Sequence, residues 1–140
     1  MQSGTKSKRA SGKAKPVSLT PLMDFCRRLP HVTEDVKWGN DLVFSIGGKM
    51  FCVFDKSGGT KFSLKATPAM FSILTRKEGI IPAPYVARYH WIMLEGPQSL
   101  PKSQIEELIR ESYHLVSLGL PAKIRRQFEA VGKKGVSSEQ

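Results

Sequence analysis

Leu42-Val43-Phe44-Ser45-Ile46-Gly47-Gly48-Lys49-Met50-Phe51-Cys52-Val53-Phe54, continued by Asp55-Lys56-Ser57-Gly58-Gly59-Thr60-Lys61-Phe62-Ser63-Leu64-Lys65, decides how this chain folds. The first five residues are rich in β-branched and aromatic side chains, which suit a pleated, half-buried surface. Gly47-Gly48 fits a two-residue hairpin turn, because glycine takes positive φ without steric cost. Lys49 to Phe54 is then the return strand. Asp55 to Gly59 is a longer hairpin loop, and Thr60 to Lys65 a third strand. In that third strand Phe62 and Leu64 share one parity, and Lys61, Ser63 and Lys65 the other. This alternation predicts an antiparallel sheet with one dry and one wet face.

Helical patterns flank these hairpins. Thr20-Pro21 reads as a helix start, a capping hydroxyl followed by a proline whose missing N–H costs nothing there. Leu22, Phe25, Cys26 and Leu29 follow as one apolar stripe, and Pro30 ends it. His31 to Asn40 reads as a connector, with Val36 and Trp38 directed inward from a short strand. Thr67-Pro68 opens a short helix with Met70, Phe71 and Leu74 inside, stopped by Gly79. Ile80 to Ala87, with Pro82 and Pro84, reads as an apolar, proline-stiffened loop. Tyr89 to Leu94 is a fourth strand opened by His90-Trp91. Trp91 and Met93 are expected in the core, and His90 on the face of Ile92 and Leu94. From about Pro101 a long helix carries Ile105, Leu108, Ile109, Ser112 and Val116 inward, and Gly119 ends it. Pro121 starts a last helix with Ile124 and Phe128 on one side. The expected fold class is α+β: one domain, an antiparallel sheet of hairpins packed against N- and C-terminal helices. Its boundaries are a basic, low-complexity tail over 1–17, the domain over 18–130, and a C-terminal tail over 131–140.

The chain has 140 residues and a formal net charge of +10. Five basic residues (Lys6, Lys8, Arg9, Lys13 and Lys15) fall in the acid-free first seventeen positions, so much of the basic character belongs to the tail. Such a tail gives salt-sensitive, non-specific phosphate affinity. No apolar run is long enough for a membrane span, and the N-terminus lacks the apolar stretch of a secretory signal. Cys26 and Cys52, both inside apolar patterns, read as reduced core residues, which points to a cytoplasmic protein.

Catalytic and metal chemistry find no constellation. His90 as a base needs a positioned partner, and no spacing ties it to Glu95, Asp55 or His31. His31, Glu34 and Asp35 fall in a connector and His114 stands alone, so no metal set forms. Gly58-Gly59-Thr60-Lys61 ends like a phosphate loop but lacks the upstream glycine and the helix that should follow. No cofactor is implied.

The chain resembles the MmcQ/YjbR family of small bacterial proteins. The matching residues are Leu29-Pro30, Val32-Thr33-Glu34, Trp38-Gly39, Val43-Phe44, Gly47 to Phe51 and Ser63-Leu64-Lys65. His90-Trp91, Ser112-Tyr113, Leu115-Val116 and Leu120-Pro121 follow in the family's order. The resemblance runs from about Leu22 to about Arg126. It implies an α+β fold and a double-wing arrangement described as DNA-binding, and it carries over no catalytic residue. The expected function is a non-enzymatic binding module with DNA as partner and low sequence specificity. Lys49, Lys56, Lys61, Lys65 and Arg88 are the expected phosphate contacts, on a sheet face and at wing positions. The alternative is a protein- or small-ligand-binding domain with a pocket near Trp38, Tyr85, His90 and Trp91.

Overall fold

A computed structural model describes residues 18–55 and 59–128. Its frame is a six-stranded antiparallel sheet: β1 (Val32–Lys37), β2 (Asp41–Ile46), β3 (Lys49–Asp55), β4 (Phe62–Lys65), β5 (Ile80–Pro82) and β6 (Trp91–Leu94). The spatial order is β1-β2-β3-β4-β6-β5, so β1 and β5 are the edges. Helix α1 (Thr20–Arg27) precedes the sheet, α2 (Pro68–Leu74) links β4 to β5, and α3 (Lys102–Leu118) follows β6. Helical backbone resumes over 122–128. No helix among the described residues is long and apolar enough to cross a membrane.

The helices cover one sheet face. Leu42, Phe44, Ile46, Cys52, Phe54, Phe62, Leu64, Ile92 and Leu94 are buried with α1's Leu22 and Cys26 and α3's Ile105 and Ile109. The expected inward stripe of α3, Ile105 through Val116, is buried throughout. Ile124 and Phe128 pack against this core, as their spacing predicts. Cys26 and Cys52 are both fully buried as free thiols. Burial pushes the Cys52 thiol well up, and its hydrogen bond with Cys26 adds to this, so it stays protonated and unreactive.

A bulge in β2–β3 adjusts the sheet to α3. Phe44 pairs with Cys52 but Ser45 pairs with Met50, leaving Phe51 as the extra residue. Phe51 and Cys52, neighbours in sequence, are consequently both fully buried. The β3–β4 ladder stops at Cys52↔Leu64. At the next position the Ser112 hydroxyl enters from α3. It accepts from the Lys65 N–H at 3.0 Å and donates to the Phe51 carbonyl at 2.6 Å. Nearby, Tyr113 donates to the Pro30 carbonyl at 2.6 Å and meets Phe51 edge-on, fastening the end of α1 to α3.

The structure corrects four expectations. His31 to Asn40 is no mere connector, since Val32–Lys37 forms a full edge strand. Val36 and Trp38 do not point inward and are 58% and 67% exposed. Edge strands carry polar, weakly patterned sequence, which hides them from periodicity. Second, Ile80–Pro82 is a strand and not a loop; Pro82 is tolerated there because β5 is an edge. Third, the strand after it begins at Trp91. Ala87–Tyr89 is a 3₁₀ turn and His90 is left-handed at φ 68°, so His90 is off the strand. Ile92 and Leu94 take the helix-covered core, while Trp91 and Met93 face the other way. Fourth, Thr20 does not cap α1. The cap position is Leu19, and the Ser18 hydroxyl accepts from the Thr20 N–H at 3.1 Å. Thr67 does cap α2, accepting from the Met70 N–H at 3.1 Å.

Candidate functional site

The face turned away from the helices is not simply wet. Val43 is 1% and Trp91 5% exposed, and Met50, Val53 and Met93 are half-buried. Trp91, Met50, Val53 and Met93 form the floor of an open groove of about 550 Å³. Its walls come from opposite edges of the sheet. Trp38 stands in the turn between β1 and β2. Ala83 to Val86, after β5, closes the other side, with the Ala83 N–H bonded to the Trp91 carbonyl at 3.0 Å. Tyr85, at the crest of that loop, is 99% exposed.

Both walls are held in costly backbone. Trp38 sits at φ 51° and Tyr85 at φ 71°. Positive φ in a bulky non-glycine residue costs on the order of 1–3 kcal/mol, and such residues cluster at ligand clamps and active sites. Each also keeps a large aromatic ring in water, where its burial by a ligand is favourable. Three of the four residues expected at a pocket (Trp38, Tyr85 and Trp91) therefore line one groove. His90 does not join them; its left-handed backbone turns the ring onto Phe71 of α2, edge-on at 5.6 Å.

Asp41 is the one charged residue lining this groove among the described residues. It is half-buried and stands opposite Asp55 in the β2–β3 register. Burial, and then the charge of Asp55, push its carboxyl above the ordinary range. The folded state thus holds the Asp41 proton more tightly than the unfolded chain does. Its contribution favours folding below the ordinary carboxyl range and is lost as pH rises through the raised value. Asp41→Asn should therefore raise the urea midpoint at neutral pH and leave it unchanged near about pH 3, where the carboxyl is protonated in both states. A midpoint lowered at neutral pH would contradict this.

The expected phosphate contacts do not form one array. Lys56 lies outside the described residues. Lys49, just past the Gly47-Gly48 turn, is exposed. Lys61 is exposed just before β4, in a recess shared with Asp41 and Asp55. Lys65 is half-buried and donates to the Tyr89 carbonyl at 2.7 Å, and burial lowers its pKa. The Arg88 guanidinium lies 4.9 Å from the Tyr89 ring centre. The structure thus gathers Lys65 and Arg88 about Tyr89 and leaves Lys49 and Lys61 apart.

The family follows from comparison. The YjbR family model matches residues 27–115. The chain belongs to the YjbR family. It is 30% identical over 88 residues to the uncharacterized protein YbdF of Escherichia coli O157:H7, covering 61% of this chain and 71% of that one. Among solved structures, a Deinococcus radiodurans protein with a DUF419 domain superposes with a TM-score of 0.71 at 25% identity, over 80% of this chain and 88% of its own. A Pseudomonas syringae protein shares the fold at a TM-score of 0.57 and 22% identity, over 71% and 99%.

Proposed function

We propose that this YjbR-family chain is a binding module whose working site is the groove on the open sheet face. Its ligand is a small molecule with a flat apolar body. The observation that carries this reading is the pair of walls: Trp38 and Tyr85, both at positive φ, over a floor of Met50, Val53, Trp91 and Met93. A concave, mainly apolar site of a few hundred Å³ with one placed polar group is the usual form of a small-molecule pocket.

Both tryptophans of the chain line the groove, so tryptophan emission reports on it directly. A panel of small planar compounds that do not absorb at the excitation wavelength should contain binders that shift this emission saturably. Tyr85→Ala should weaken them by about tenfold or more, about 1.4 kcal/mol, as expected for a truncated aromatic contact. Tyr89→Ala, outside the groove lining, should not. Binders insensitive to Tyr85→Ala would place the site elsewhere.

DNA binding is the second reading. The exposed Lys49, Lys61 and Arg88 and the net charge of +10 favour it. Against it, Lys65 is engaged with Tyr89, and Asp41 and Asp55 lie beside Lys61. Under this reading, duplex binding by the full chain falls steeply with salt. The joint reversal Lys49→Glu and Lys61→Glu then removes most of the affinity. Unchanged affinity in that variant would exclude the sheet face as the DNA surface.

A further inference from the structure

We propose that the groove selects organic cations: an ammonium or alkylated ammonium head that meets Asp41, on an apolar body that lies against Trp91, Met50 and Met93. This rests on the groove reading above and names its ligand class. Three features of the lining carry it.

First, the walls and floor supply the rings of Trp38, Tyr85 and Trp91. Tryptophan and tyrosine faces attract cations through their quadrupole, and aromatic-lined sites are the recurrent solution for ammonium recognition. Second, the only charge in that lining among the described residues is a carboxylate, Asp41. Third, Asp41 is uncompensated. It forms no ion pair among the described residues, although Lys37 stands opposite it on β1 and Lys61, just before β4, lines the neighbouring recess with it. Asp55 stands opposite on β3, and like charges facing each other across strands disfavour folding. A ligand cation placed at Asp41 relieves that repulsion and gains the aromatic contacts together. The two cations that could compete from the other end of the face are held elsewhere: Lys65 by the Tyr89 carbonyl and Arg88 by the Tyr89 ring.

The test compares three probes of similar shape and different charge: 2-phenylethylammonium, 2-phenylethanol and 3-phenylpropionate. Each is titrated into the full chain while the two tryptophan side-chain N–H signals are followed by NMR. The ammonium should bind about tenfold or more tighter than the alcohol, and the carboxylate weakest. Asp41→Asn should bring the ammonium to within about twofold of the alcohol. Tyr85→Ala should weaken both the ammonium and the alcohol, and the ammonium more. In the parent chain the ammonium's advantage should shrink on acidification as the Asp41 carboxyl takes up its proton. Equal binding of all three probes, or a preference for the carboxylate, overturns cation selection while the groove still stands. An ammonium preference that survives Asp41→Asn overturns the role of Asp41. Binding of none of the three removes the groove reading itself.

Discussion

Phe54→Ala is expected to remove about 3–5 kcal/mol of stability, the range for truncating a buried phenylalanine. Phe54 is fully buried on β3, at the centre of the aromatic layer between sheet and helices. Its ring meets Phe44 edge-on at 5.8 Å and stacks on Phe62 at 5.5 Å. Alanine would forfeit the transfer free energy of the ring and both aromatic contacts. It would also leave a cavity that two strands hold open, because β2 and β4 are hydrogen-bonded to β3 on either side. Domains of this size are stable by only about 5–15 kcal/mol. The variant should therefore show a much lower urea midpoint with an unchanged slope, and Phe54→Leu should recover more than half of the loss. A loss below about 1.5 kcal/mol would mean that this layer is not the centre of the core.

Ser112→Ala should cost about 2–4 kcal/mol, a large effect for the loss of one oxygen. The hydroxyl serves two main-chain groups at once, the part-buried Lys65 N–H and the buried Phe51 carbonyl, where the β3–β4 ladder has opened. Alanine would leave a donor and an acceptor without partners, at about 1–3 kcal/mol each. Ser117 is the control on the same helix. Its hydroxyl donates to the His114 carbonyl at 2.9 Å in an exposed setting, and Ser117→Ala should change stability by less than about 0.5 kcal/mol. Hydrogen exchange should place the damage: the Lys65 and Ala66 amides lose protection in Ser112→Ala and the β1–β2 amides do not. Equal effects at the two serines would contradict the bridging role.

Much of the fold is legible in residue order. The α3 stripe, the Gly47-Gly48 hairpin and the parity of Phe62 and Leu64 all follow from periods of 3.6 and 2. The edges are not legible, because β1 reads Val-Thr-Glu-Asp-Val-Lys and β5 is three residues ending in proline. His90 misleads because a left-handed residue breaks the alternation that a strand would impose. The groove was half visible. Trp38, Tyr85 and Trp91 are conspicuous as aromatics, but the floor lies in strands that are apolar on both parities. Leu42-Val43-Phe44, Phe51-Cys52-Val53-Phe54 and Trp91-Ile92-Met93-Leu94 are continuous apolar runs. Such runs mark strands covered on both faces, and they were the signal for a second apolar surface. Asp41 carries no signal in sequence, since its significance arises only from its place beside walls contributed by both edges of the sheet.

A ¹⁵N–¹H spectrum of the full chain, recorded with a library of small planar fragments and, separately, with duplex DNA, shows which surface takes the ligand. The groove account predicts that fragments shift the side-chain N–H signals of both Trp38 and Trp91, with the Met50, Val53 and Met93 amides, at concentrations that leave α2 and α3 unmoved. It is contradicted if no fragment moves either tryptophan while duplex DNA shifts Lys49, Lys61 and Arg88 together.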